Sequence, residues 1–374
     1  MMEPVGGVPG RRQPLWRDLE NGVLLHTRRA GIPAQDDETA DGLVLCSVSA
    51  PRAAQEARLA QRGHLLFDLA RYEQETASAH DVFYHDPSPD DASLLSADPD
   101  STSPGQEQIR AGATAILTPT LCFRDGDRVA IRAAASHIQQ YDPTTVVFVV
   151  PLDAQWLQSD DDVRFLVRSL NGVPHLKALA FGAVDGVLPN EEFALHLRAL
   201  ITGIERVALI RTDLAGLDAL AHGATFVSIG VQSSCRTFRP PYTPGRPTAN
   251  PSGLAYARVL HPVLMEYFYG GELAHLYGWN NAPACHCGVC KGQHIARFSD
   301  SPDDVRAADR HNVAVWLRWA EDLQAARPGA ERRRLWKSRC WAAIEDRGRI
   351  EREWRSRKSP GWPAALKVWA TAAD

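Results

Sequence analysis

Residues 285–294 read CHCGVCKGQH and place three of the chain's seven cysteines within six positions. Thiolates at C-x-C-x-x-C spacing can turn toward one point inside a tight loop, and Gly288 removes side-chain bulk at the turn. Zinc takes four ligands in a tetrahedron, drawn from Cys and His, so this set requires a fourth. His286 stands between two ligands in the same turn and should point away. His294 would have to continue the same loop. His311 belongs to a segment, 301–326, that reads as a helix, with Ser301 as its N-cap, Pro302 at its first position and acids in its first turn. It borders an apolar face of Val305, Ala308, Val315, Trp319 and Leu323. Cys285, Cys287, Cys290 and His311 are therefore the expected ligand set, with His294 as the alternative fourth ligand. The competing reading is a loop of free thiols beside a packing histidine. Cys46, Cys122, Cys235 and Cys340 are scattered singly and read as small buried hydrophobes rather than half of a disulfide framework.

A second group of candidates consists of carboxylates at the ends of apolar runs. Asp68, Asp153, Asp185 and Asp213 each stand at or just after such a run, where paired carboxylates could divide nucleophile and general-base roles. The alternative is that such acids cap the helices that follow, as Asp213 would before LAGLDALAHG.

The elements that must position these residues are legible as eight short apolar runs, at 22–27, 42–48, 64–68, 114–118, 145–150, 177–182, 206–211 and 225–231. Most are unbroken rather than alternating, as expected of parallel strands covered on both sides. Helical patterns at 128–141, 160–172, 190–204 and 214–223 separate several of them, which implies βαβ units. Eight strands point to an α/β fold, a (β/α)8 TIM-type barrel, whose strand C-terminal ends carry the active site. A doubly wound open sheet is the alternative, but no G-x-G-x-x-G follows any strand. The Pro-, Ser- and Asp-rich stretch 85–105 reads as a surface insertion. The Pro-rich stretch 233–253 reads as a long loop at the strand C-terminal side, where Arg236 and Arg239 could hold phosphates.

Composition bounds the rest. The chain has 374 residues, 44% hydrophobic and 23% charged, with a formal net charge of −4. A wholly basic nucleic-acid binder is not expected. No run of about 18 apolar residues offers a membrane span, and the N-terminus lacks the apolar core of a signal peptide, so a cytoplasmic protein without membrane contact is expected. The exception to the acidic balance is residues 331–358, with 11 Lys or Arg against 5 Asp or Glu, a net +6. Half of the ten tryptophans, Trp336, Trp341, Trp354, Trp362 and Trp369, lie in or just beyond this stretch. Basic charge interleaved with aromatics suits a nucleic-acid backbone and stacked bases. An amphipathic helix with its Trp face packed inward is the competing reading.

CHCGVC, followed by a helix containing RHNVAVW, resembles the zinc subdomain of the tRNA-guanine transglycosylases and their DNA-modifying relatives. The histidine follows the third cysteine somewhat sooner than is usual in that family. The resemblance implies a barrel over 15–274, a zinc-binding subdomain over 275–326 with a structural Zn2+ on Cys285, Cys287, Cys290 and His311, and a basic, Trp-rich helical tail over 327–374. It implies an exchange of guanine for a 7-deazaguanine base in tRNA or DNA, by a homodimer or heterodimer. HLLFD resembles the strand that ends in the family's base-facing aspartate, which implies that role for Asp68. The nucleophilic aspartate of the last strand is matched by Ser228 in FVSIG, and a serine needs a base that the neighbouring sequence does not offer. Asp213 is the substitute nucleophile that the segment suggests. Thr120 and Pro151-Leu152, with Asp153 close by, stand where the family recognises the base, Gly182 matches a glycine at the next strand end, and Arg236 joins this group as a substrate contact. With the nucleophile replaced, a non-catalytic, zinc-containing nucleic-acid-binding or partner subunit is the alternative function. An unrelated barrel enzyme, a lyase or hydrolase, is a third.

Overall fold

The computed structural model describes residues 14–28, 40–46, 63–84, 103–184, 186–244, 256–278, 282–354 and 363–372. Asp185, the insertion at 85–102, loop residues 245–253, Trp362 and the basic positions at 355–358 lie outside the described residues.

All eight expected strands form. They are β1 (Gly22–Thr27), β2 (Gly42–Cys46), β3 (His64–Asp68), β4 (Ile116–Leu117), β5 (Val146–Asp153), β6 (Leu176–Gly182), β7 (Val207–Thr212) and β8 (Phe226–Gly230). Every ladder is parallel, and the order is β3-β2-β1-β8-β7-β6-β5-β4. That order is sequential around a ring, with its seam between β3 and β4. The Thr114 N–H, two residues before β4, donates to Leu65 O of β3 at 2.8 Å, and Leu65 N–H donates to Thr114 Oγ1 at 3.1 Å. The sheet is thus a nearly closed parallel barrel, and the open-sheet alternative fails because no strand order reverses.

Two layers follow from strand alternation. Leu24, Val44, Leu66, Val147, Val149, Ala178, Ala180, Ala208, Ile210 and Phe226 fill one cluster, the barrel interior. Val23, Leu25, Leu43, Leu45, Phe67, Phe148, Leu179 and Leu209 join the other cluster, which the helices cover. Those helices are α1 (Pro104–Arg110), α2 (Arg128–His137), α3 (Asp160–Asn171), α4 (Glu191–Gly203) and α5 (Ala215–Ala221). Their starts carry the expected caps. Asp127, Ser159 and Asn190 each accept a backbone N–H of the first turn. The last residues of the expected insertion are not loop: Pro104 opens α1 after Ser103.

Beyond β8, an antiparallel pair, β9 (Arg258–His261) and β10 (Glu266–Tyr269), precedes α6 (Gly270–Tyr277). The sequence boundary at 274/275 falls inside α6. Two long helices follow, α7 (Pro302–Ala325) and α8 (Ala330–Trp354), then α9 (Ala364–Thr371). Ser301 caps α7 through a bond from Asp304 N–H at 3.2 Å, with Pro302 at the first helical position. Asn312 of α7 holds β9 by its side chain, accepting from Leu260 N–H and donating to Arg258 O, both at 2.6 Å. Trp336, Trp354 and Trp369 are buried, so the tryptophans of α8 and α9 pack, except Trp341, which is 47% exposed. Among the described residues no helix is long and apolar enough to cross a membrane.

Candidate metal centre and barrel mouth

Cys285 enters the cluster from a short antiparallel bridge, Ala284 with His294. Its N–H donates to Gln293 O and its carbonyl accepts from Gly292 N–H, both at 2.9 Å. Cys287 O accepts from Cys290 N–H at 3.1 Å and Lys291 N–H at 2.9 Å, which closes the turn. Lys291 and Gly292 both have positive φ, 50° and 88°, so the chain reverses through left-handed backbone that glycine adopts without strain. His311 then arrives from α7, fully buried. Its Nδ1 lies 3.6, 3.5 and 3.3 Å from the sulfurs of Cys285, Cys287 and Cys290.

Those separations can be tested against a metal. Zinc–sulfur bonds of about 2.3 Å and zinc–nitrogen bonds of about 2.0 Å in a tetrahedron place sulfur and nitrogen about 3.6 Å apart. His311 Nε2 is 2.8 Å from Leu260 O. A carbonyl only accepts, so the ring proton sits on Nε2 and the Nδ1 lone pair faces the thiols, the outer-shell bond typical of metal-bound histidine. Cys290 N–H donates to Cys287 Sγ at 3.4 Å, and Arg297 donates to Cys290 Sγ at 3.6 Å. Hydrogen bonds from the Cys285 and Cys290 thiols hold Cys287 far below the ordinary thiol range. The four residues fit a metal ion. His286 and His294 are exposed and stand outside the group. Cys46, Cys122, Cys235 and Cys340 are free, buried thiols.

At the strand C-terminal ends of the barrel, the residues singled out from sequence have firm partners. Asp68 is 2% exposed. Its Oδ1 accepts from Ala70 N–H at 2.9 Å, its Oδ2 accepts from the Tyr72 hydroxyl, and His26 Nε2 lies 3.3 Å from Oδ2. Burial alone would raise this carboxyl, but His26, Arg211 and Tyr72 outweigh it and hold Asp68 below the usual carboxylate range. Burial lowers the His26 imidazole despite the carboxylate beside it.

Ser228 has an imidazole beside it that the neighbouring sequence does not supply. His26 Nδ1 is 3.0 Å from Ser228 Oγ, across 202 positions of sequence, and Arg211 N–H donates to the same oxygen at 3.2 Å. β7 slips register between Leu209 and Thr212, and Arg211 takes φ 52°. The bulge turns its guanidinium across the mouth, where it donates to the Tyr72 hydroxyl at 3.2 Å, to Ser234 O at 2.9 Å, to Thr237 O at 3.2 Å and to Glu73. Arg28 reaches Glu73 from the other side at 2.5 Å.

The remaining candidates are dispersed around this group. Thr120 is buried and bonded to Thr118 at 2.7 Å. Asp153 accepts from Gln155 N–H at 2.8 Å and from the Tyr242 hydroxyl. Asp213 is exposed and accepts from Ala215 N–H at 3.0 Å, the helix-capping alternative, and lies in a recess with Arg236, Thr237 and Phe181. Arg236 is neither solvated nor free for phosphate. It donates to Gly230 O at 3.1 Å and Val231 O at 3.0 Å, with its guanidinium 3.8 Å from the Tyr267 ring centroid, because the strand-end carbonyls need a buried donor there.

Gly182 is covered by the loop after β8. Ala183 N–H donates to Phe238 O at 2.9 Å, and the Phe238 ring lies where a Gly182 side chain would begin. Phe238 also packs on Tyr72 at 4.6 Å between centroids. His26, Tyr72, Glu73, Arg211 and Phe238 were not singled out from sequence. The signal present was a polar residue near the C-terminal end of an apolar strand, His26 in GVLLHT and Arg211 in RVALIRT. Compared with known proteins, the chain matches no protein-family model and no curated protein.

Proposed function

We propose that the chain is a transglycosylase-like nucleic-acid-binding subunit, a TIM-type barrel braced by a structural zinc on Cys285, Cys287, Cys290 and His311, that does not itself exchange bases. One observation carries this reading: the side chains at the barrel mouth that match the family's site are engaged with one another. Both oxygens of Asp68 are engaged, and the Phe238 ring occupies the space over Gly182. Ser228, in place of the family's nucleophilic carboxylate, is bonded to His26 and to Arg211 N–H. A base facing Asp68 would have to displace these contacts. When bound, zinc would supply a fixed joint between the cysteine turn and α7. The polymer would be tRNA or DNA, met by the basic face of α8, in a heterodimer whose partner performs the chemistry; a homodimer would bind the polymer without exchanging bases.

Not all of the basic residues are available for that role. Arg332 donates to Asn21 Oδ1 at 2.9 Å and Arg347 is fully buried, whereas Arg334 and Trp341 are exposed. The test is binding of tRNA and duplex DNA over a salt series, beside incubation with labelled guanine or a 7-deazaguanine. The reading expects binding that weakens with salt, by about 0.9 in log–log slope per neutralised duplex phosphate, a flatter slope for Arg334→Glu with Trp341→Ala, and no label incorporated. Failure to bind either polymer would remove the binding role.

Base exchange is the second reading, and the recess at Asp213 favours it, since that carboxyl lines the recess beside Arg236 and Thr237 and burial there raises it above the usual carboxylate range. Incorporation abolished by Asp213→Asn would establish it.

A further inference from the structure

We infer that His26, Cys46 and Asp68 form a second metal site, inside the barrel mouth, that takes a single zinc-like divalent cation with one coordination position left open. The three donors come from adjacent strands, β1, β2 and β3, and Cys46 and Asp68 are direct register partners. Their donor atoms lie within 4.8 Å of one another and all three residues are buried.

Two observations point to a ligand rather than a closed network. His26 is fully buried, yet its Nε2 makes no well-aimed hydrogen bond. A buried polar nitrogen without a partner is costly, and native structures rarely leave one. The atom that it faces, Asp68 Oδ2, is 3.3 Å away. That is long for a charge-assisted hydrogen bond, but it equals the edge of about 3.3 Å in a tetrahedron whose metal–nitrogen and metal–oxygen bonds are about 2.0–2.1 Å. Cys46 adds a free, fully buried thiol to the same point.

The surroundings suit the ion. Ser228 Oγ can accept from His26 Nδ1–H at 3.0 Å as well as from Arg211 N–H, which fixes the ring and leaves Nε2 as the lone-pair nitrogen. Tyr72 and Ala70 N–H orient the carboxylate. A dipositive ion with the Cys46 thiolate and the Asp68 carboxylate is neutral as a group, so burying it adds no net charge. On binding, the Cys46 proton leaves to solvent as the metal–sulfur bond forms. Nitrogen, sulfur and oxygen ligands with one position open match zinc better than calcium or magnesium, which take oxygen alone. This site is independent of the nucleic-acid reading and of the Cys3His cluster.

The test is metal content of the full chain after saturation with Zn2+ and removal of excess, together with Co2+ titration read by its thiolate charge-transfer band. Two equivalents per chain are expected, the second with the weaker band of one thiolate. Cys46→Ala and His26→Ala should each retain one equivalent, and Cys287→Ala should retain the other. Cys46→Ala removes little volume, so it decides the matter if His26→Ala does not fold. A parent that loses all of its metal in Cys287→Ala, or one whose every equivalent survives Cys46→Ala, would overturn the site. Loss of the Cys287-dependent equivalent alone bears on the zinc cluster and leaves this inference standing.

Discussion

Asp218 ties the C-terminal helices to the barrel, and removing it should loosen both. Its carboxylate takes two bonds from Arg198 of α4, Nη2 to Oδ1 at 2.7 Å and Nε to Oδ2 at 3.2 Å. Trp336 Nε1 of α8 donates to the same Oδ1 at 3.1 Å. Asp218 and Trp336 are 5% and 1% exposed, and the Arg198 side chain is 10% exposed, so none of the three has water as an easy substitute. Asp218→Ala strands a buried guanidinium, a loss of about 3–5 kcal/mol when one partner of such a pair is deleted. Asp218→Asn keeps an acceptor for the indole but loses the charge, and should cost about 1.5–3 kcal/mol. At about 2–4 °C per kcal/mol for a large domain, the alanine variant should melt on the order of 10 °C lower.

Thermal unfolding followed by tryptophan fluorescence reads this directly, and protease sensitivity in α8 reads it locally. The double variant Asp218→Ala with Arg198→Met should recover part of the loss, because the stranded charge is gone. A non-additive term of at least about 1 kcal/mol is expected for residues in one network. If Asp218→Ala melts within about 2 °C of the parent, α8 is not held through this carboxylate and the packed-tail account fails.

Three further predictions concern other parts of the fold. His261 Nδ1 accepts from the N–H groups of Val263 and Leu264, so the folded ring cannot take a second proton without losing both, and burial, with His311 and Arg347 near, lowers its pKa to about 3. The unfolded chain binds that proton below about 6.5 and the folded chain does not until about 3, so stability should fall with pH across this window, by about 2 kcal/mol between pH 6.5 and 5. His261→Gln should flatten the urea-midpoint profile by that amount, and an unchanged profile would refute it. Gly182→Ala pushes a methyl into the Phe238 ring and should cost about 1–3 kcal/mol, recovered in part by Phe238→Leu; a neutral Gly182→Ala would mean that the loop does not cover the strand end. Chelation should release metal and expose 282–300 to protease while the barrel circular dichroism persists, and His311→Ala should mimic it; intact protection in both would detach the cysteine turn from any metal.

What was legible in the sequence followed from local chemistry. The strands show as unbroken apolar runs because both faces of a parallel barrel are covered, and helix starts show because caps are local. The Cys3His cluster was legible for the same reason: three of its residues share one turn, and the fourth lies on a helix whose N-cap and proline mark it. The mouth was not. Ser228 and His26 are 202 positions apart and Arg211 and Tyr72 are 139 apart, so only ring closure brings them together. The Arg211 backbone, at φ 52° in a bulge, has no glycine or turn residue to announce it. Asp68 and Asp213 were both legible as acids at strand ends, but sequence could not tell that the first is buried among partners and the second exposed.

The tail shows how a count of charges misleads when periodicity is ignored. Among the described side chains Arg332, Trp336, Cys340, Ala343, Arg347, Ile350 and Trp354 are the buried positions of α8, in steps of four, four, three, four, three and four, the spacing of one helix face. Arg347 therefore occupies a core position. It is tolerated because Glu266 of β10, at 2.6 Å, and Glu351 one turn on, at 2.9 Å, supply the charge. Arg332 and Arg339 are likewise drawn inward or across, to Asn21 and to Asp322. The net +6 of residues 331–358 thus overstates the charge that faces solvent, and the part that a polymer could meet is concentrated where Arg334, Lys337 and exposed Trp341 line one shallow surface with α9. Binding that persisted after Arg334 and Trp341 were both replaced would have to use a different face of the molecule.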